Sequence, residues 1–160
     1  MGPSALQLAE QAEAEARYSE AISHYREHLA VSPDDDDARF RLARVLGWNK
    51  QFAESESLLS PWAEKYPDNP EGFVQLARVL RWDEKYSEAA EAYRRGLAVR
   101  PRDAAIHLEL AQVYSYMKDY PHSLDEYRIA LSLDPESVEA RKGVVRALIW
   151  NGETQPARTA

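Results

Sequence analysis

Prolines stand at Pro33, Pro67, Pro101 and Pro135, evenly spaced 34 apart. Aromatic residues keep the same step at Tyr18, Phe52, Tyr86 and Tyr120. So do the leucines Leu8, Leu42, Leu76 and Leu110, with Val144 next, and the small residues Ala9, Ala43, Ala77 and Ala111, followed by Val145. Tyr25, Leu59, Tyr93 and Tyr127 form a further series, and Ala21, Ser55, Ala89 and Ser123 another. Six position classes in one register restrict the chain to repeated units of equal length. Such units bury their apolar faces against each other, not around one central core.

Each unit reads as two helices. Apolar residues at helical spacing, Leu42, Ala43 and Leu46, then Leu76, Ala77 and Leu80, mark the first helix. Asp35, Asn69, Asp103 and Ser137 precede these helices as N-caps, their side-chain oxygens suited to the unpaired amides of a first turn. Pro70 and Pro121 fall where an opening turn tolerates proline. The second helix is expected to open after the Tyr18 series and to close before the Pro33 series, because proline cannot continue a helix. Small Ala or Ser at fixed positions lets helices approach closely, while large aromatics fill the space beside them.

This pattern resembles the tetratricopeptide repeat. In the third unit the signature residues are Leu76-Ala77, Leu80, Tyr86, Ala89, Tyr93, Gly96-Leu97 and Pro101. In the fourth they are Leu110-Ala111, Tyr114, Tyr120, Ser123, Tyr127, Ala130-Leu131 and Pro135. The resemblance implies an all-α, right-handed superhelical solenoid of antiparallel helix pairs with a concave side. The expected repeats are about 2–35, 36–69, 70–103 and 104–137, with a partial fifth over 138–160 whose first helix lies near 138–151. Met1-Gly2-Pro3-Ser4 reads as a vector-derived remnant, and the interrupted fifth unit as the edge of a piece cut from a longer protein. Two departures stand out. The tryptophan common early in the first helix is replaced by Ala5, Arg39, Phe73, His107 and Arg141, and Trp62 occupies a position that is usually small, so packing there must differ.

A second periodic set lies outside the core pattern. Trp48, Trp82, Tyr116 and Trp150 are 34 apart, and Arg44, Arg78, Gln112 and Arg146 stand one helical turn before them. That spacing places each pair on one helical face, rotated from the Leu-Ala stripe. By resemblance these are the ninth and thirteenth repeat positions, which line the concave groove. The reading is a ladder of rings and guanidinium groups that binds a protein or peptide partner. The alternative, with each ring packed on the next unit's first helix, stays open at this level. The Leu-Ala-Arg-Val-Leu-x-Trp strings also resemble repeat segments of bacterial envelope and polysaccharide-export proteins, which implies a glycan ligand and a periplasmic rather than cytoplasmic location. Chaperone-tail binding by a carboxylate clamp is not expected, since Phe40, Val74, Leu108, Arg44, Arg78 and Gln112 replace the family's Lys/Asn pattern.

Other chemistry finds little support. A net charge of -7 argues against nucleic acid and anionic membranes as partners. No apolar run reaches the roughly 20 residues that span a bilayer. The absence of cysteine removes disulfides and thiolate chemistry. Asp34-Asp35-Asp36-Asp37 lacks the ligand spacing of a calcium loop and suits a helix N-terminus instead. His24 and His28 lie four apart with no third ligand, and His107 and His122 belong to no constellation. No nucleophile–base pair or phosphate loop is present, so a non-enzymatic scaffold without cofactor or metal is expected. An apolar face at Val144, Val145 and Leu148 makes a dimer through the fifth unit a further expectation.

Overall fold

The computed structural model describes residues 1–154. Its regular structure there is entirely helical: α1 (Ala5–Ala14), α2 (Tyr18–Val31), α3 (Asp36–Trp48), α4 (Phe52–Lys65), α5 (Pro70–Trp82), α6 (Tyr86–Val99), α7 (Ala104–Tyr116), α8 (Tyr120–Leu133) and α9 (Val138–Thr154). The second helices α2, α4, α6 and α8 begin at the constant step of the sequence pattern, as do the first helices α3, α5, α7 and α9. The Gln155-Pro156-Ala157 start expected for a further helix lies outside the described residues.

The caps explain these starts. Asp35 accepts from Ala38 N, Asn69 from Glu71 N, Asp103 from Ile106 N and Ser137 from Ala140 N, at 3.0–3.1 Å. Helix α1 opens with a reciprocal cap between Ser4 and Gln7. The turns from first to second helix use one device. Ala16, Lys50, Glu84 and Lys118 all take positive φ, between 55° and 63°. After three of them an amide reaches back into the last turn, Arg17 N to Ala12 O, Gln51 N to Leu46 O and Asp119 N to Tyr114 O, at 2.8–2.9 Å. This is a left-handed helix stop built without glycine. Helix α9 instead runs on through Gly152 to Thr154, past its expected end; no glycine takes positive φ.

The helices form two compact units, Met1–Asp83 and Glu84–Ala160. In the first, each of α1 to α4 packs on the next, and α3 also meets α5. Its core holds Ala9, Ala21, Tyr25, Leu42, Val45 and Leu46. A second cluster of Ala43, Leu59 and Val79 ties α3, α4 and α5 together. The unexpected Trp62 is accommodated by a size exchange. Its indole lies 4.5 Å from the Phe40 ring and donates to Asp36 O at 3.1 Å. Opposite it stands Gly72, where a Cβ would lie 2.9 Å from Trp62 Cε3. A glycine on α5 therefore admits a large ring on α4.

In the second unit α6 to α9 pack in order and α7 meets α9. Ala111, Leu124, Tyr127 and Ala147 form its core. Gly143 is essential to it, because a Cβ there would overlap the Tyr127 ring. Serines that replace alanine in the core stay satisfied. Ser55 Oγ donates to Ala43 O at 2.6 Å, and Ser123 Oγ to Ala111 O at 2.9 Å.

Candidate binding surface

On α3, α5 and α7 the ladder residues occupy the last turn or so, just before the left-handed stop, while α9 runs on past Trp150. In the first unit Trp48 packs on Tyr18, with ring centroids 5.7 Å apart at 43°. Its indole is not buried; Trp48 and Trp82 are each 37% exposed. In the second unit Tyr116 stacks on Tyr86 at 5.3 Å and 19°, and Trp150 leans on Tyr120 at 5.5 Å and 52°. In these three pairs the ring rests on the aromatic that opens the preceding second helix. One face is spent on packing and part of the ring stays in solvent.

The residues one turn earlier differ among themselves. Arg44 Cζ lies 5.1 Å over the Trp48 ring. Its Nη2 donates to Glu13, which also accepts from the Tyr25 hydroxyl. Arg44 Nε is buried with no hydrogen-bond partner among the described residues. Burial, and then the neighbouring Glu13 carboxylate, push the Tyr25 phenol well above its usual pKa. Arg44 is thus the centre of an internal polar cluster. Arg78 and Gln112 are half-buried, while Arg146 is exposed beside Arg141, Lys142 and Val145.

Tyr18, Gly47, Trp48, Lys50, Phe52 and Trp82 line a cleft of about 420 Å³ in the first unit. It unites two ladder tryptophans with two rings that the sequence reading assigns only to helix openings. Gly47 supplies its floor. A Cβ there would meet Val79 Cγ2 at 2.8 Å and Trp82 Cζ3 at 3.4 Å, so the missing side chain both lets α3 approach α5 and keeps the space open. Lys50 is exposed, and its ammonium has no partner among the described residues. The step shared by the two aromatic series was the signal that could have joined them, had the constant offset between the series been read as a contact.

The acidic run before α3 and His107 serve the fold. Asp35 meets His28 at 2.7 Å, and Asp36 takes Lys65 and the Tyr66 hydroxyl, each at 2.5 Å. Both carboxyls are held below the usual range. For Asp35 the main cause is the Ala38 amide and then His28; for Asp36 it is Lys65 and then Tyr66. His107 is buried between Glu126, at 2.6 Å, and Pro101 O, at 2.8 Å. Among the described residues no three His, Asp or Glu side chains converge as metal ligands, and no helix is long and apolar enough to cross a membrane.

Two family models described as tetratricopeptide repeat match residues 12–74 and 70–113. No curated protein matches the chain. Among solved structures, a crystal structure of MamA protein superposes with a TM-score of 0.83 at 16% identity, covering 92% of this chain and 81% of that one. MamA 41-end from Desulfovibrio magneticus RS-1 gives 0.79 at 17%, covering 84% and 76%. A tetratricopeptide repeat protein from Parabacteroides merdae gives 0.83 at 12%, covering 93% and 59%. At these identities the likeness concerns the fold.

Proposed function

This chain belongs to the tetratricopeptide-repeat family, and on that premise we propose that it is a non-enzymatic scaffold that seats an extended segment of a protein partner on the rings ending its first helices. The observation carrying this reading is the cleft of Tyr18, Trp48, Phe52 and Trp82 in the first unit. Aromatic walls offer flat apolar area with little side-chain entropy to lose. The Lys50 ammonium at the rim selects a carboxylate close to the inserted side chain. The second unit carries the same chemistry in Tyr116, Trp150 and Arg146, with Gln112 one turn before Tyr116. Arg44 acts indirectly, holding the Trp48 ring from beneath while its own donors stay with Glu13.

The test is a fluorescence titration with a short peptide carrying phenylalanine beside aspartate. Saturable change is expected, lost in Trp48→Ala/Trp82→Ala and weakened in Lys50→Glu. A flat response at millimolar peptide overturns the reading. The same aromatic faces also favour a second reading, a glycan-binding module of a periplasmic polysaccharide-export or outer-membrane protein, because sugar rings stack on indoles. Saturation by a neutral oligosaccharide, with none by the peptide, would select it.

A further inference from the structure

The position that Gly47 occupies on α3 is filled differently on every other first helix. Glu13, Arg81, Ser115 and Ile149 stand there, so the repeat itself does not require glycine. In the first unit the missing side chain faces α5, where a Cβ would meet Val79 Cγ2 at 2.8 Å and Trp82 Cζ3 at 3.4 Å. The second unit builds the same crossing from another pair. Ser115 on α7 and Ala147 on α9 are the register counterparts of Gly47 and Val79, and α7 meets α9 as α3 meets α5. Glycine with valine has become serine with alanine, at nearly equal combined volume. The two turns are otherwise alike: Lys50 N donates to Gly47 O at 3.1 Å and Lys118 N to Ser115 O at 3.0 Å. Ser115 Oγ is held 2.7 Å from Ser123 Oγ, which donates in turn to Ala111 O. A packed crossing is thus possible without glycine, and Gly47 has the separate effect of leaving the cleft open beside Trp82.

We propose that Gly47 is the specificity-determining residue of this surface. It keeps a gap between the α3 backbone and the Trp82 indole, and so admits a flat ring of phenylalanine size where a residue with a Cβ admits only a smaller side chain. This rests on the reading of the cleft as the seat of a partner segment. The walls suit such a guest. Trp48, Phe52 and Trp82 are apolar, and Trp48 stands 43° from Tyr18, so that the rings bound a slot. In the second unit Tyr116 lies nearly flat on Tyr86, at 19°, and offers a platform. Lys50 sets the sign of charge. None of the residues lining the cleft is a carboxylate, so an inserted lysine or arginine would face an uncompensated cation. The chemistry left is an uncharged aromatic side chain with an acidic neighbour.

Acetylated peptides that carry either phenylalanine or valine beside aspartate measure the preference, by tryptophan fluorescence titration. The unaltered chain should favour phenylalanine about tenfold, from the additional apolar area its ring buries. Gly47→Ser/Val79→Ala transplants the second unit's pair into the first. Ser55, the counterpart of Ser123, has its Oγ 3.4 Å from the position of the new Cβ, so the added hydroxyl has the same partner within reach and the fold should be kept, as circular dichroism checks. The preference for phenylalanine should fall to about twofold or less. The reciprocal Ser115→Gly/Ala147→Val, placed in the Trp48→Ala/Trp82→Ala chain, should recover saturable phenylalanine binding in the second unit, reported by Trp150. If the first variant loses its fold, the reciprocal one decides. An unchanged preference, or equal weakening of both peptides, overturns the role of Gly47 while leaving the cleft as a binding site. A folded reciprocal variant that does not bind overturns it as well. If neither peptide binds the unaltered chain, the reading of the cleft fails and this inference with it.

Discussion

The indole of Trp48 rests on the phenol ring of Tyr18, 5.7 Å between centroids, though the two stand at the far ends of consecutive helices. The contact joins the end of one repeat's first helix to the start of the previous repeat's second helix. It is a packing contact and an exposed surface at once. Trp48→Ala is therefore expected to lower stability by about 1–3 kcal/mol, less than a fully buried aromatic would cost, while the helices remain folded. Chemical denaturation followed by circular dichroism checks this. Loss of the native fold at room temperature would make the ring a core residue.

Arg44 and Arg146 share a repeat position and should behave differently. Arg44→Ala takes the cation from Glu13, whose side chain is only 12% exposed and keeps just the Tyr25 hydroxyl, and removes support from Trp48. A loss of about 1–3 kcal/mol is expected once partial exposure is allowed for. Arg146→Ala should stay within about 0.5 kcal/mol, as surface changes usually do. Equal effects in urea denaturation would show that the Glu13 contact contributes little.

The exchange of size between Trp62 and Gly72 predicts energetic coupling. Gly72→Ala places a methyl 2.9 Å from the indole and 3.0 Å from Ala63 Cα. Strain should outweigh the gain in helix propensity and leave a net loss of about 1–2 kcal/mol. In a Trp62→Leu background the penalty should shrink by at least about 0.5 kcal/mol, since part of the clash is gone. A double-mutant cycle with no interaction energy would remove the coupling.

Non-glycine residues hold positive φ at Ala16, Glu84 and Lys118. Glycine bears the left-handed conformation without steric cost. Ala16→Gly, Glu84→Gly and Lys118→Gly should each raise stability by about 0.5–1 kcal/mol, a melting increase of a few degrees for a chain this size. A fall in melting temperature would show that unfolded-state entropy outweighs the strain.

Asp35 and Asp36 have folded-state pKa values below their unfolded ones. Their contribution is complete above the unfolded value and is lost as pH falls through the folded one, so stability should be level near neutrality and decline below about pH 4. Asp35→Asn keeps a cap acceptor for Ala38 N and should flatten that acid limb. An unchanged slope would assign the decline to other carboxylates.

The repeat length, the paired helices, their caps and the buried leucines were legible in the chain itself. Each follows from interactions within one helix or from a pattern that recurs at a constant step. The same periodicity singled out Arg44, Trp48 and their counterparts as a set apart from the core. It could not say what each would touch. Whether an indole faces solvent depends on Tyr18, at the far end of the preceding helix. Whether an arginine is free depends on Glu13, two helices back on α1. Whether Trp62 fits depends on a glycine on the next helix. Helical spacing orients a side chain about its own axis, but only the meeting of helices distant in sequence decides which oriented side chains are covered, paired or left open.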